Sequence, residues 1–226
     1  MSEYLINRPK APRARFLCAH GAGAPMDSRF MQVLAQGLCA LGIEVIRFEF
    51  PYMAQRRTGG SRRPPNTMPQ LLHCFGAQIA RQLDDLPLYI GGKSMGGRVA
   101  SLIADESFEK GLIAGLVCLG YPFHPRGKPE KLRTQHLAGI SCPMLIVQGD
   151  RDPLGSCAEV AGYELSHAVE IAWLEDGDHD FKPRRASGLT QARHWQSAQA
   201  VVAQFMLRSR GSQATASCIG GPGARR

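Results

Sequence analysis

The sequence predicts an α/β fold, a doubly wound and mainly parallel sheet of about six core strands. Short continuous apolar runs alternate with longer amphipathic ones from residue 13 to residue 207. The short runs are too uniformly apolar for one face of each to meet water. A chain of 226 residues with 44% hydrophobic and 20% charged content is long enough for one substantial core.

Taken in order, the runs Arg15 to Ala19, Ile43 to Phe50, Leu86 to Gly91, Ile113 to Leu119, Pro143 to Gln148 and Val169 to Leu174 read as strands buried on both faces. Between them, Phe30, Leu34, Leu38 and Leu41 share one helical face, as do Met68, Leu72, Phe75, Ile79 and Leu83. A last long helix aligns Leu189, Ala192, Trp195, Val202 and Phe205, with Gln199 as a polar interruption. The segment Gln55 to Pro69 has the glycines and prolines of a long loop. The chain thus divides into an extension (residues 1–12), one folded domain (13–207) and a basic tail (208–226) expected to be disordered.

The net charge of +8 suggests a polyanion partner until it is located. Arg8, Lys10, Arg13 and Arg15 lie near the start, Arg56, Arg57, Arg62 and Arg63 in the loop, and Arg208, Arg210, Arg225 and Arg226 in the tail. Without those twelve and Glu3, 15 basic and 18 acidic residues remain, a body charge of −3. A nucleic-acid reader would spread its cations along a folded face, so no nucleic-acid partner is expected. Seven cysteines without a CxxC pair read as reduced thiols. No apolar stretch has the length of a signal sequence or a membrane span, so a cytoplasmic protein is expected.

Parallel sheets with right-handed crossovers bind ligands at the carboxyl ends of their strands, which directs attention to the turns there. After the third strand comes Gly92-Lys93-Ser94-Met95-Gly96, a GxSxG string between a strand and a helix. In a chain with 25 glycines the string alone is weak, and its context gives it weight. Flanking glycines remove side chains where strand and helix cross, and Ser94 is presented at a helix N-terminus. After the fifth run comes Asp150-Arg151-Asp152-Pro153, and after the sixth Asp176-Gly177-Asp178-His179-Asp180. Ser94, Asp152 and His179 are therefore the candidate nucleophile, acid and base in chain order. Asp152 is preferred to Asp150, which directly follows the strand and is expected to pair locally with Arg151.

The turn His20-Gly21-Ala22-Gly23-Ala24 after the first strand can bring a backbone N–H to the serine. Ala22 is the expected oxyanion donor, with Gly23 second, and the N–H of Met95 is its partner. Asp27 or Ser28 is expected to cap the next helix. His20 precedes the serine in the chain and is read as organising this turn. The acidic residues near His179 show neither a calcium-loop spacing nor a zinc-type histidine pair, so no metal is expected. Lys93 lacks the phosphate-loop spacing. Arg56, Arg57, Arg62 and Arg63 could greet an anionic substrate above the site.

Together these motifs resemble the α/β-hydrolase fold across about residues 13 to 207. More narrowly, His20-Gly21-Ala22-Gly23-Ala24-Pro25-Met26-Asp27, Gly91-Gly92-Lys93-Ser94-Met95-Gly96-Gly97-Arg98 and Gly149-Asp150-Arg151-Asp152-Pro153 are similar to a small branch near the dienelactone hydrolases. That branch includes bacterial predicted hydrolases, a testis-expressed animal relative and the hydrolase-like domain of a subunit of the non-specific lethal acetyltransferase complex. The resemblance implies a Ser-Asp-His hydrolase that uses no cofactor and acts on a small acyl substrate. Members that serve as complex subunits make a non-catalytic scaffold the alternative. Compared with larger relatives, the leading antiparallel strands are missing or short, and little sequence between Leu119 and Pro143 is free to form a lid domain.

Overall fold

Seven strands form one sheet in the computed structural model, which describes residues 4–61 and 63–208. They are β1 (Tyr4–Asn7), β2 (Ala14–Ala19), β3 (Ile43–Phe48), β4 (Leu88–Lys93), β5 (Gly115–Leu119), β6 (Met144–Gly149) and β7 (Val169–Leu174). The spatial order is β1-β3-β2-β4-β5-β6-β7, with every neighbouring pair parallel except β1 and β3. Arg62 and the tail from residue 209, including the segment expected to be disordered, lie outside the described residues.

Six strands are the apolar runs, and β1 is an addition. The short run Tyr4–Asn7, assigned above to an extension, pairs antiparallel with β3, Tyr4 opposite Phe48 and Asn7 opposite Val45. Its neighbours are also tied down. Buried Glu44 accepts from Arg15 Nε at 2.6 Å and from Arg8, and Arg15 continues to Asp84 at 2.6 Å. The basic character near the start is thus partly internal to the fold.

Successive strand residues point to opposite faces, and each face has its own helices. Leu17, Ile46, Ile90, Leu116 and Ile146 pack with α3 (Met68–Ala80), α4 (Met95–Ser101) and α5 (Ala104–Glu109). Phe16, Val45, Val117, Leu145 and Val147 pack with α1 (Arg29–Ala40) and the last helix, which spans Gln191–Leu207. Gln199, the polar interruption of that helix, donates to Val33 O at 3.0 Å, and its side chain fills the space a Cβ on Gly37 would need. Leu41 and Leu83 lie beyond the ends of α1 and α3 and are exposed, so neither belongs to the helical faces assigned to them.

The expected long loop is shorter than its composition suggests, because α2 (Pro51–Arg57) occupies its beginning. Proline at the first helical position supplies a preset φ and lacks an N–H that would be unpaired there anyway. Tyr52 and Met53 are the buried anchors of this helix, while Arg56 and Arg57 form its last turn. A single turn, α6 (Cys157–Val160), follows β6, so the final helix is α7. Between β5 and β6, residues 120–143 carry one 3-10 turn, Gln135–Leu137, and no lid. Among the described residues no helix is long and apolar enough to cross a membrane.

Candidate active site

Ser94 sits at the carboxyl end of β4 with φ 51° and ψ −114°, a left-handed conformation that non-glycine residues rarely adopt. Its N–H is held by Leu119 O at 2.9 Å, and its carbonyl receives the N–H of Arg98 at 3.0 Å. The crossing is tight. A Cβ on Gly92 would stand 2.1 Å from Ala19 O, and one on Gly96 would stand 2.6 Å from the same atom. The flanking glycines therefore let the serine turn pass over the end of β2.

The turns after β6 and β7 bring the other two predicted groups to this serine. His179 Nε2 lies 2.9 Å from Ser94 Oγ, and His179 Nδ1 lies 2.7 Å from Asp152 Oδ2. Asp152 is fully buried, and its second oxygen accepts Leu154 N–H at 2.9 Å. Gln148, the penultimate residue of β6, donates from Nε2 to Asp152 Oδ2 at 2.9 Å. Its Oε1 accepts Tyr121 N–H at 2.7 Å, which fixes the orientation of the amide. Nothing local in the sequence marks Gln148 as a site residue.

Asp150 does not pair with Arg151. Arg151 reaches across to Asp176, its Nε 2.8 Å from Oδ1. Asp176 also receives Arg184, whose guanidinium holds the carboxyl down at about pKa 2. These contacts close the base of the loop that carries His179. Asp178 serves locally, its Oδ1 accepting the N–H groups of Asp180 and Lys182. Among the described residues no three His, Cys, Asp or Glu side chains gather where they could hold a metal.

Lys93 is the residue whose importance the sequence reading missed. Its side chain is buried beneath the His179 loop, with Nζ donating to His179 O at 2.7 Å and standing 3.5 Å from Asp180. The ammonium lies 5.8 Å from the ring centres of both Phe30 and Phe181. Burial pulls its pKa down, against the opposing charges of Asp180 and Asp152. A lysine ending an apolar strand was the available signal, since a buried ammonium requires partners.

At the turn after β2, His20 is buried and bridges two segments. Phe50 N–H donates to its Nε2 at 3.1 Å, so the ring proton is on Nδ1 and donates to Gly21 O at 2.7 Å. In a trans peptide the N–H points opposite to the C=O, so this bond also sets the direction of Ala22 N–H. A Cβ on Gly21 would lie 3.7 Å from that of Ser94, which places this peptide beside the serine. Tyr52 OH donates to Ala22 O at 2.9 Å and steadies the exposed part of the turn. Ser28 occupies the N-cap of α1 without a side-chain bond, and Asp27 turns instead to Arg57.

The arginines expected to meet an anion are mostly engaged. Arg57 binds Glu49 and Asp27, each at 2.7 Å, and its charge is neutralised there. Arg56 stacks 5.4 Å from the Tyr52 ring centre and donates to Arg63 O at 2.6 Å. Arg63 is part of the exposed strip after α2, and Arg62 is outside the described residues.

Sheet order and a serine at a strand-to-helix turn define the α/β-hydrolase fold. A sequence profile described as the alpha/beta hydrolase domain matches residues 12–207, and the chain belongs to that family. Est1E from Butyrivibrio proteoclasticus, with ferulic acid bound, is similar at 18% identity and a TM-score of 0.63, over 90% of this chain and 93% of that one. A serine hydrolase without a lid from Xanthomonas campestris is similar at 16% identity and a TM-score of 0.63, over 91% and 90%. Dienelactone hydrolase from Anabaena variabilis is similar at 18% identity and a TM-score of 0.65, over 89% of each chain.

Proposed function

We propose that this protein is a serine hydrolase that cleaves an ester, thioester or related acyl bond of a small substrate. The observation that carries the reading is the continuous line from Ser94 Oγ through the His179 ring to buried Asp152, at 2.9 and 2.7 Å. Membership of the hydrolase family and the esterase-like and lid-free neighbours support it.

In this reading Ser94 Oγ attacks the acyl carbon while His179 Nε2 takes the hydroxyl proton. The imidazolium that forms keeps its Nδ1–H on Asp152, whose charge stabilises it. The bond to the leaving group then breaks, and His179 returns the proton to the departing oxygen or sulfur. Water enters, gives its proton to His179, and displaces the acyl group from Ser94, which recovers its proton. The N–H groups of Met95 and Ala22 receive the oxyanion, each such donor contributing about 3 kcal/mol to the transition state. His20 acts on this step indirectly, through the Gly21–Ala22 peptide.

The strained φ at Ser94 keeps the hydroxyl clear of the helix that follows. The described cysteines are all unpaired, which supports a reducing, cytoplasmic setting. Reaction with a fluorophosphonate probe tests the assignment: the wild type should be labelled and Ser94→Ala should not. A folded wild type that resists the probe would overturn the reading and favour a non-catalytic scaffold.

A further inference from the structure

The loop that carries His179 is held at every main-chain carbonyl from Asp178 to Lys182. Its two ends close on each other: Asp178 O accepts Phe181 N–H at 2.9 Å, and Lys182 O accepts Asp178 N–H at 3.1 Å. The carbonyls between them, of His179, Asp180 and Phe181, each accept from a side chain of another element. Lys93 at the end of β4 takes the first, at 2.7 Å. Gln191 Nε2 donates to Asp180 O at 2.9 Å, and His194 Nδ1 lies 2.9 Å from Phe181 O. A carbonyl can only accept, so Nδ1 carries the ring proton of His194 and donates it.

Gln191 opens α7 and His194 follows at i+3, so the helix presents both on one side. That first turn is itself anchored. His194 is buried and its N–H is held by Thr190 O at 3.2 Å, while the Thr190 hydroxyl accepts Arg193 N–H at 3.3 Å. Phe30 of α1 meets both Phe181 and Trp195 edge-on, with ring centres 5.7 and 5.9 Å away, and so packs the loop against the same turn of α7.

The loop needs this outside hold because Phe181 has φ 62°, a left-handed conformation that costs an L side chain and persists only where the surroundings impose it. Glycine would adopt it freely, but the Phe181 ring is fully buried in the core. Relaxation of φ at this position, so close to His179 in the chain, would swing the imidazole away from Ser94 and Asp152. A misplacement of about 1 Å at a reacting group can cost about 100-fold in rate.

We propose that His194, assisted by Gln191, is a positioning residue of the reaction: the pair locks the strained Phe181 turn and thereby holds His179 in register with Ser94 and Asp152. Neither side chain hydrogen-bonds to Ser94, Asp152 or the imidazole, so both act through the main chain of the loop. The effect on turnover rests on the hydrolase reading, whereas the placement of His179 can be measured without turnover.

The test compares His194→Asn, whose amide can return a donor to the place of Nδ1, with His194→Ala and Gln191→Ala. On a para-nitrophenyl ester, kcat should fall about tenfold or more in His194→Ala and about threefold in Gln191→Ala, with KM within about twofold, and His194→Asn should recover most of the loss. Proton NMR reads the base directly. The His179 Nδ1 proton, shared with Asp152 at 2.7 Å, should give a low-field resonance in the wild type and in His194→Asn that broadens by exchange in His194→Ala.

Should His194→Ala not fold, Gln191→Ala decides, because its amide lies at the surface. A wild type that neither hydrolyses esters nor takes the fluorophosphonate probe, but whose low-field proton still responds to these substitutions, would sink the hydrolase reading and keep the positioning role. Unchanged kcat and an unchanged resonance in folded His194→Ala, or in Gln191→Ala where that variant decides, would overturn the proposal. So would a loss in His194→Ala that His194→Asn does not recover, since that would assign His194 to packing alone.

Discussion

Gln148 donates to the same oxygen of Asp152 that faces His179: Nε2 is 2.9 Å from Oδ2, and His179 Nδ1 is 2.7 Å from it. The acid is therefore held from two sides, by the imidazole in front and by a fully buried amide of its own strand behind. The amide also binds Tyr121 O at 3.1 Å and Gly155 O at 3.2 Å, so one side chain joins the turn after β5 to the turn after β6 at the sheet's carboxyl edge. Replacing Gln148 by alanine leaves Tyr121 N–H without its acceptor and lets Asp152 turn. We expect a loss of about 1–3 kcal/mol in urea unfolding. In steady-state kinetics kcat should fall about tenfold or more while KM changes little, since the residue acts through Asp152 rather than on substrate. Equal loss in KM would contradict that role.

The two aspartates after β6 should separate sharply. Asp152→Asn keeps the shape but cannot stabilise the imidazolium, and kcat should drop about 10³–10⁴-fold. Asp150 points elsewhere, its Oδ1 buried and without a hydrogen-bond partner. Asp150→Asn should stay within about threefold of wild type on the same ester. Similar losses in both would reverse the assignment of the acid.

Lys93 supports the position of His179 at the expense of a buried charge. Lys93→Met retains much of the volume between Phe30 and Phe181 and removes that charge. Such replacements are often neutral or stabilising, so unfolding free energy should stay within about 1 kcal/mol or rise. Activity should nevertheless fall about tenfold, because His179 O loses its donor and the loop can drift. A large loss of stability with unchanged kcat in the folded fraction would assign Lys93 to the core alone.

His20 predicts a dependence on pH. Burial lowers its pKa below 6.5, partly opposed by the hydrogen bond to Gly21 and the charge of Glu49, and Arg56 and Arg57 push it further down. The folded state thus keeps the ring neutral where the unfolded state already binds a proton. This contribution is fully present above about pH 6.5 and is lost as the pH falls below it. Protonation would also place a hydrogen on Nε2, against Phe50 N–H. Urea unfolding at about pH 7.5 and about pH 5.5 should show the wild type weakening by at most about 1.4 kcal/mol per pH unit from this group. His20→Asn should show a flatter profile, and an identical slope would remove His20 as its source.

The parts of the molecule that the sequence made legible are those governed by short-range patterning. Both-sided burial made β2 through β6 visible as largely apolar runs, whereas β7, expected to be buried on both faces, is the edge strand with Glu170 exposed and only Leu174 buried; the glycines around Ser94 are needed by the chain crossing itself. Relationships that depend on residues far apart were not visible. Lys93 meets the carbonyl of a residue 86 positions later, and Arg151 meets Asp176 25 positions on rather than its neighbour Asp150. The helix α2 was hidden because Pro51 reads as a breaker, whereas at the first turn it is an initiator, and because Arg57 finds Glu49 only after folding. β1 was hidden because its four residues, three half-buried and Ile6 exposed, are too few to show a period.

That short strand has a consequence for the handling of the protein. β3 would otherwise present a row of unpaired amides and carbonyls along one side of the sheet, a template on which a second chain could lay a strand. Tyr4–Asn7 occupies that row, and Asn7 Oδ1 is further pinned by Arg47 at 2.8 Å. Residues that look like a dispensable leader are thus the sheet's insulation, and a chain trimmed to begin at residue 13 would keep every catalytic group while gaining an adhesive margin.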